Sequence, residues 1–166
     1  ELADIQHCGE QLLDATGYGQ YEVSAFSQRG YRCRHNSNYW SFGDYVGIGA
    51  GAHGKISFLD GHIERYAKRR QPEEYLSANP GKFVASMRTL DKGEIIGEFM
   101  MNALRLNDGF TLQQFAARTG LDCAQLQPRL ETLCRRELLV REGDVVKTTE
   151  TGRRFLDSVV AEFFPD

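Results

Sequence analysis

The chain has 166 residues, of which 41% are hydrophobic and 26% are charged, which is ordinary for a globular protein. This length accommodates one domain or two small ones around a sizeable core. The formal net charge of −3 gives no electrostatic reason to expect binding to nucleic acid or to an anionic membrane.

The N-terminal part of the chain alternates helical and strand patterns. Residues 1–17 form an amphipathic helical pattern that ends at Gly17, and residues 21–26 alternate in the manner of a β-strand. Residues 28–38 are polar and predict a loop, whereas residues 44–49 predict a short buried strand that leads into a glycine loop. Because helix–turn–strand units build α/β proteins, these patterns predict an α/β arrangement.

A hairpin and a short helix follow the glycine loop. Residues 55–59 and 62–66 are joined by Asp60 and Gly61, which is a strong signal for a β-hairpin. Residues 72–78 predict a helix that begins with a proline in its first turn. We place a domain boundary near residues 80–92, after a turn, and expect domains of residues 1–90 and 91–166.

The second domain has the order helix, helix, helix, wing, helix, which is typical of winged-helix folds. Thr111 is a candidate N-cap and Gly120 a candidate helix breaker. The helices are predicted at residues 95–104, 112–118, 122–136 and 155–164, and the two strands of the wing at 138–141 and 145–148.

The four cysteines are scattered and form no C-x-x-C pair, so we expect them to be reduced and mostly buried. No apolar run is long enough to span a bilayer, and the first residues do not resemble a signal peptide. These features predict a cytoplasmic protein.

The segment from Arg34 to Trp40 is the most unusual in the chain. It contains a histidine, two asparagines, a tyrosine and the single tryptophan of the chain. An imidazole can ligate haem iron, aromatic faces can stack on a porphyrin, and amides or Arg34 can bind propionates. The alternative is a buried aromatic corner in which the polar groups satisfy the backbone.

The glycine loop at residues 47–54 follows the predicted strand and contains G-x-G. Glycines allow a ligand such as an adenosine to approach the backbone closely. A tight structural turn at a sheet edge explains the same glycines. A dinucleotide site is not expected, because the next segment predicts a strand and not a helix.

Together, residues 21–26, 35–40 and 44–53 resemble the radical SAM proteins of the HemW type, which are haem chaperones related to oxygen-independent coproporphyrinogen III oxidases. Residues 35–40 match the H-N-x-x-Y-W signature of that family at every fixed position. The resemblance covers essentially the whole chain. It implies an α/β (α+β) fold, with the terminal helix–strand units of a partial (β/α) radical SAM barrel followed by a small winged-helix-like C-terminal domain.

The resemblance also implies functional residues. Haem would bind at His35, Asn36, Tyr39 and Trp40, with His35 as the ligand of the haem iron. S-adenosylmethionine would lie beside a second set of residues, Gly49, Gly51, Ala52 and His53. The C-x-x-x-C-x-x-C motif that holds the [4Fe-4S] cluster in the family is not in this sequence. We therefore expect a C-terminal part of a longer protein, unable by itself to bind the cluster or to start radical chemistry.

The favoured function is haem binding and delivery to acceptor proteins. The alternative is an enzyme that decarboxylates a porphyrinogen oxidatively. A nucleic-acid partner is not expected, because residues 93–166 contain nine Lys or Arg against twelve Asp or Glu. An open sheet edge in such a part of a barrel favours self-association as a homodimer.

Overall fold

A computed structural model describes residues 2–165 of the chain. The N-terminal elements are a helix, a small hairpin and a second helix: α1 (Leu2–Ala15), β1 (Gly19–Glu22), β2 (Ala25–Ser27) and α2 (Arg34–Trp40). A three-stranded antiparallel sheet in the order β3-β4-β5 follows, with α3 (Pro72–Leu76) between its last two strands. Its strands are β3 (His53–Ser57), β4 (Ile63–Lys68) and β5 (Val84–Thr89).

The C-terminal elements have the predicted winged-helix order. The helices are α4 (Lys92–Ala103), α5 (Leu112–Thr119), a 3-10 turn (Cys123–Leu126) that leads into α6 (Gln127–Arg135), α7 (Glu150–Arg154) and α8 (Leu156–Ala161). The sheet is β6-β8-β7, from β6 (Phe110–Thr111), β7 (Leu139–Glu142) and β8 (Val145–Thr148). Within residues 2–165, no helix is long and apolar enough to cross a bilayer.

Local signals fix the ends of the C-terminal helices. Asp91 and Thr111 each form a capping box, in which the side chain accepts from the backbone N–H three residues later. Gly120 ends α5 in the left-handed conformation, with a φ of 70°. The predicted caps Thr111 and Gly120 are therefore confirmed.

One hydrophobic core joins the two predicted domains. Phe42 and Ile63 from the first and Phe99 and Phe115 from the second belong to the same buried cluster. The ring of Phe99 makes edge contacts with three other aromatic rings, whose centroids lie 5.0 to 5.7 Å away. Packing therefore holds the β3-β4-β5 sheet and α2 against the winged-helix elements.

Two predictions in the N-terminal part are wrong because local turns interrupt the strand pattern. Residues 21–26 form a hairpin, in which Glu22 pairs with Ala25, and not one strand. The hydroxyl of Ser24 donates to the carboxylate of Glu22 at 2.8 Å and stabilises the turn. Residues 44–49 form no strand beyond a single bridge between Tyr45 and Lys55.

Other differences concern helices and burial. The predicted loop at residues 28–38 contains the first five of the seven residues of α2, whose N-cap residue Cys33 makes no side-chain cap bond. The last helix divides at Phe155, which is 59% exposed, so the predicted apolar stripe is broken there.

The cysteines are not mostly buried, since Cys8 and Cys33 are exposed. The sequence also gave no signal for β5 or β6.

Candidate functional site

The seven-residue helix α2 carries all four residues of the predicted haem site. His35 and Tyr39 are four residues apart, as are Asn36 and Trp40, so the four side chains share one broad face of the helix. The imidazole of His35 is exposed and has no hydrogen-bond or ion-pair partner in the described part of the chain. Both of its ring nitrogens are therefore free for a ligand.

Aromatic contacts hold the C-terminal end of α2. The rings of Tyr39 and Trp40 meet edge to face with centroids 4.9 Å apart, and Tyr39 lies 5.0 Å from Tyr45. The guanidinium of Arg105 covers the ring of Trp40 at 4.3 Å from its centroid. The indole Nε1 of Trp40 is buried without an acceptor in the described residues. Trp40 therefore packs against the winged-helix elements, while His35 stays in solvent.

The predicted S-adenosylmethionine residues lie in the loop before β3. Gly49 and Gly51 have φ angles of 103° and 70°, which require glycine. Their backbone N–H groups donate within the chain, Gly49 to the Tyr75 hydroxyl at 3.3 Å and Gly51 to the Arg69 carbonyl at 2.7 Å. The loop therefore does not offer these amides to a ligand.

Other glycines near the loop serve close packing. A Cβ at Gly54 would lie 2.1 Å from the ring of Tyr66, and one at Gly47 would lie 2.1 Å from the carbonyl oxygen of His53. The Tyr66 hydroxyl also accepts from the Gly47 N–H at 2.8 Å. The structural explanation of the glycines thus accounts for Gly47 and Gly54. Residues Val46 and Ile48 of the same loop expose 68% and 85% of their surface.

A cavity of about 470 Å³ brings together one residue from each predicted set, Tyr39 from α2 and His53 from the start of β3. The remaining predicted residues, His35, Asn36, Trp40, Gly49, Gly51 and Ala52, do not line it. The other side chains that line it are Tyr45, Arg65, Tyr66, Ala67, Ser86, Arg88, Glu98 and Met101.

Three of the side chains that line this cavity are charged, namely Arg65, Arg88 and Glu98. Arg65 contacts the Glu98 carboxylate at 2.5 and 2.7 Å, and its Nη1 donates to the Tyr45 hydroxyl at 2.6 Å. Burial alone would lower the pKa of Arg65, but the hydrogen bond and charge of Glu98 raise it overall. Burial, together with the neighbouring Tyr39, raises the pKa of Tyr45 to about 12. Arg65 is therefore charged, and Tyr45 is a neutral hydroxyl near pH 7.

A buried lysine fixes the loop between α2 and the sheet. The ammonium of Lys55 donates to the Phe42 carbonyl at 3.0 Å, to Asp44 at 2.8 Å and to the Ser57 hydroxyl at 3.1 Å. Burial, together with the nearby charges of Arg65 and Arg118, lowers the pKa of Lys55 overall, although the hydrogen bond and charge of Asp44 act to raise it. Burial alone would raise the pKa of Asp44, but the bonds from Lys55 and Ser57 lower it overall. This cluster connects the end of α2 to β3.

Sequence patterns missed Arg65, Arg88 and Lys55. Arg65 shares its face of β4 with the apolar Ala67, so the pattern of this strand does not single it out, and Arg88 lies in the unpredicted β5. No short motif marks them, because they meet only through strand pairing. Among the described residues, no three His, Cys, Asp or Glu side chains are grouped to hold a metal ion.

Comparison with known proteins identifies the family. A model of the HemN C-terminal domain matches residues 90–155. The chain is 41% identical to "Heme chaperone HemW" of Escherichia coli over 99% of its own length and 43% of the relative, and 37% identical to the protein of that name from Haemophilus influenzae over 99% and 42%. The chain therefore spans less than half the length of these relatives.

The fold has a counterpart among solved structures. Coproporphyrinogen III oxidase (HemN) from Escherichia coli, described as a radical SAM enzyme, superposes with a TM-score of 0.65 over 97% of this chain and 40% of that one. The two are 14% identical, so this likeness concerns the fold alone. It confirms the predicted α+β fold, which corresponds to the C-terminal part of that structure. By sequence and fold together, the chain belongs to the HemW family and corresponds to its C-terminal part.

Proposed function

We propose that this chain is the haem-binding C-terminal part of a haem chaperone, in which His35 ligates the iron and the haem is passed to acceptor proteins. The observation that supports it is the free, exposed imidazole of His35 on α2, one helical turn before Tyr39 and the cavity beside it. The relatives named above carry the name of haem chaperone.

The exposure of His35 suits transfer rather than permanent storage. A ligand on a short surface helix leaves one face of the haem open to an acceptor, and the helix buries none of its own residues completely. A neutral imidazole is a common proximal ligand of haem iron. We infer that Asn36, one position further along α2, contacts the bound haem and that Tyr39 stacks against its edge.

Trp40 has a supporting place in this proposal. Its ring is covered by Arg105 and packs edge-on against Tyr39, so it orients Tyr39 and the helix. The chain's porphyrin contacts would then come from His35, Asn36 and Tyr39, and Trp40 would hold them in position.

S-adenosylmethionine and a [4Fe-4S] cluster belong to this proposal through the family. We propose that Gly49, Gly51, Ala52 and His53 face the adenosine end of S-adenosylmethionine. Because the loop amides of Gly49 and Gly51 donate internally, contact with the adenosine would come from the apolar surface of the loop and from His53. We place the protein in the cytoplasm, in line with the bacterial relatives.

The alternative function, oxidative decarboxylation of a porphyrinogen, has less support. The likeness to coproporphyrinogen III oxidase is 14% in sequence, whereas the HemW proteins are 37% and 41% identical to this chain. The H-N-x-x-Y-W segment also lies on a surface helix whose residues are exposed or half-buried, and not inside a closed pocket. Both observations favour haem as a cargo.

A hemin titration followed by the Soret band tests the proposal. We expect saturable binding to the wild-type protein and a shifted, much weaker Soret band in His35→Ala. The matched control is His62→Ala, because His62 stacks on Phe58 in the β3–β4 turn and lies outside both predicted sites. Absence of saturable binding by the wild type, or equal binding by His35→Ala, would contradict the function proposed here.

A further inference from the structure

We propose that the cavity beside α2 is a carboxylate-binding subsite, in which Arg88 binds a propionate of the tetrapyrrole that His35 ligates. This inference rests on the proposed function and deepens it, since it names the residue that recognises the charged edge of the cargo. It follows from strand register and from the hydrogen-bond donors that remain free in the cavity.

Strand register places the polar side chains of the cavity on one face of the β3-β4-β5 sheet. Arg65 lies directly opposite Arg88, and Ser86 precedes Arg88 by two residues. His53 pairs with Ala67, which pairs in turn with Ser86. Residues that pair directly, or that are two apart in one strand, point to the same face. The sheet therefore presents two guanidinium groups, a hydroxyl and an imidazole to one cavity.

The direct pairing of Arg65 with Arg88 is unfavourable by itself, because like charges that face each other across two strands repel. Among the described side chains that line the cavity, Glu98 is the one acidic group. Its carboxylate contacts Arg65 and lies 3.7 Å from Nη2 of Arg88. Glu94 pairs with Nη1 of Arg88 from outside the lining. With Glu94 included, two carboxylates face the two guanidinium groups, so an anion would be bound by guanidinium donors that these carboxylates leave unused and not by an excess of positive charge.

Arg88 is the guanidinium that is free to bind this anion. Arg65 uses Nε and Nη2 for Glu98 and Nη1 for the Tyr45 hydroxyl. Arg88 makes its one short contact, in the described part of the chain, through Nη1 to Glu94, and its side chain is 54% exposed. Its Nε has no partner among the described residues, and its Nη2 lies 3.7 Å from Glu98, too far for a hydrogen bond. These two N–H groups are parallel donors, the geometry with which arginine binds a carboxylate through two hydrogen bonds.

The position of the cavity connects it to the proposed haem ligand. Tyr39 lines the cavity and lies one helical turn after His35 on the same face of α2. A planar ligand held by His35 and passing Tyr39 would reach the cavity that Arg88 and Ser86 line. The amino-acid carboxylate of S-adenosylmethionine has the same chemistry as a propionate, and His53 also faces this cavity, so the experiment separates the two sources.

The test measures the affinity of the full-length protein for hemin and for hemin dimethyl ester, in which both propionates are esterified. We expect Arg88→Gln to weaken hemin binding by about 10- to 100-fold, the loss of a charge-assisted bidentate contact. The Soret position should be unchanged, because His35 still ligates the iron. The ester should bind wild type and Arg88→Gln equally. Arg129→Gln, an exposed arginine of α6, removes the same charge elsewhere and should bind hemin like the wild type.

A second variant guards against loss of structure. Arg88→Lys keeps the positive charge and the aliphatic part of the side chain but lacks the two parallel N–H donors. It should bind hemin more tightly than Arg88→Gln and less tightly than the wild type. Unchanged hemin binding in Arg88→Gln, or equal affinities of the wild type for hemin and its ester, overturns the subsite and leaves His35 ligation intact. Weakened S-adenosylmethionine binding with unchanged hemin binding also overturns it and assigns the carboxylate to that cofactor. Absence of hemin binding by the wild type overturns the subsite and the proposed function together.

Discussion

The buried ammonium of Lys55 shows how single residues determine the geometry around α2. Lys55 is 1% exposed, and its three hydrogen-bond acceptors lie on the loop after α2 and on β3. The ammonium also lies 4.1 Å from the centroid of the Phe42 ring. Sequence patterns predicted Lys55 as an ordinary strand residue, because nothing in a hairpin pattern indicates that a lysine will be buried beside Asp44.

The two members of this pair should differ in their effect on stability. Asp44→Asn leaves the buried ammonium without its counter-charge and should lower the free energy of unfolding by about 1–3 kcal/mol. Lys55→Met removes the ammonium and leaves Asp44, which is 41% exposed, to water, so it should cost less than Asp44→Asn. Urea denaturation at pH 7 measures both values.

The pH dependence provides a control for this prediction. The folded pKa of Asp44 lies below its ordinary value of 3.8, so its contribution is complete above pH 3.8 and is lost as the pH falls through the folded pKa. The difference between wild type and Asp44→Asn should therefore shrink in acid below pH 3.8. A difference that stays constant down to pH 2 would contradict the assigned role of the pair.

Two glycines distinguish close packing from simple backbone freedom. Gly54→Ala would place a Cβ 2.1 Å from the Tyr66 ring and should destabilise the protein by about 1–3 kcal/mol, the usual cost of overpacking. Gly9→Ala, in α1 with no atom within 4 Å of the new Cβ, should stabilise it by about 0.5–1 kcal/mol, because alanine is the better helix former. Thermal unfolding of the two variants beside the wild type measures both effects, and equal stabilities would refute the packing explanation.

At the scale of elements, α2 was the main difference between sequence and structure. The segment is polar, has seven residues and begins without a side-chain cap, so no local signal favoured a helix. Its contact with α4 and the Trp40–Arg105 pair supply the stability that its own sequence lacks. By contrast, both ends of α5 were predicted well, because its capping residues Thr111 and Gly120 are recognisable in the sequence.

The missing cap of α2 can be supplied. Cys33, the N-cap residue, has φ −61° and ψ 117°, which suits a capping side chain. Cys33→Ser should stabilise the protein by about 0.5–1 kcal/mol, since serine can accept from a free N–H of the first turn. Chemical denaturation compares the variant with the wild type, and Cys8→Ser, another exposed cysteine but inside α1, serves as the control. A Cys33→Ser variant no more stable than Cys8→Ser would indicate that α2 does not begin where the structure places it.

At the scale of the whole molecule, an ion pair joins the N-terminal hairpin to the winged-helix elements. Arg105, after α4, contacts the carboxylate of Glu22 at 3.2 Å, and this carboxylate is 2% exposed. The backbone supports the same contact, since the Val23 N–H donates to the Arg105 carbonyl at 3.1 Å and Asn107 donates to the Tyr21 carbonyl at 3.1 Å. The hairpin therefore depends on the C-terminal part of the chain for its position.

Arg105→Ala should be among the most destabilising substitutions of a polar residue. It leaves Glu22 buried without a counter-charge and removes the cation from the face of Trp40, so we expect a loss of about 3–5 kcal/mol. Because the core spans both predicted domains, Trp40 fluorescence and far-UV circular dichroism should report the same unfolding midpoint, shifted equally in the variant.

The double variant Arg105→Met with Glu22→Leu is the matched control. It replaces both charges by apolar groups and should recover most of the lost stability. Separate midpoints for fluorescence and circular dichroism would show instead that residues 1–90 and 91–166 unfold independently.

The sequence by itself determined the winged-helix order, the β3–β4 hairpin, the helix caps and the family, because each depends on residues that are close together in the chain. The H-N-x-x-Y-W segment likewise identified His35, Asn36, Tyr39 and Trp40 as candidates without any coordinates. Only the tertiary structure decided that these residues share a helix face, that Trp40 packs inward, and that Arg65 and Arg88 meet at one cavity. The physical reason is that strand register and burial depend on contacts between distant segments, which local residue patterns do not encode.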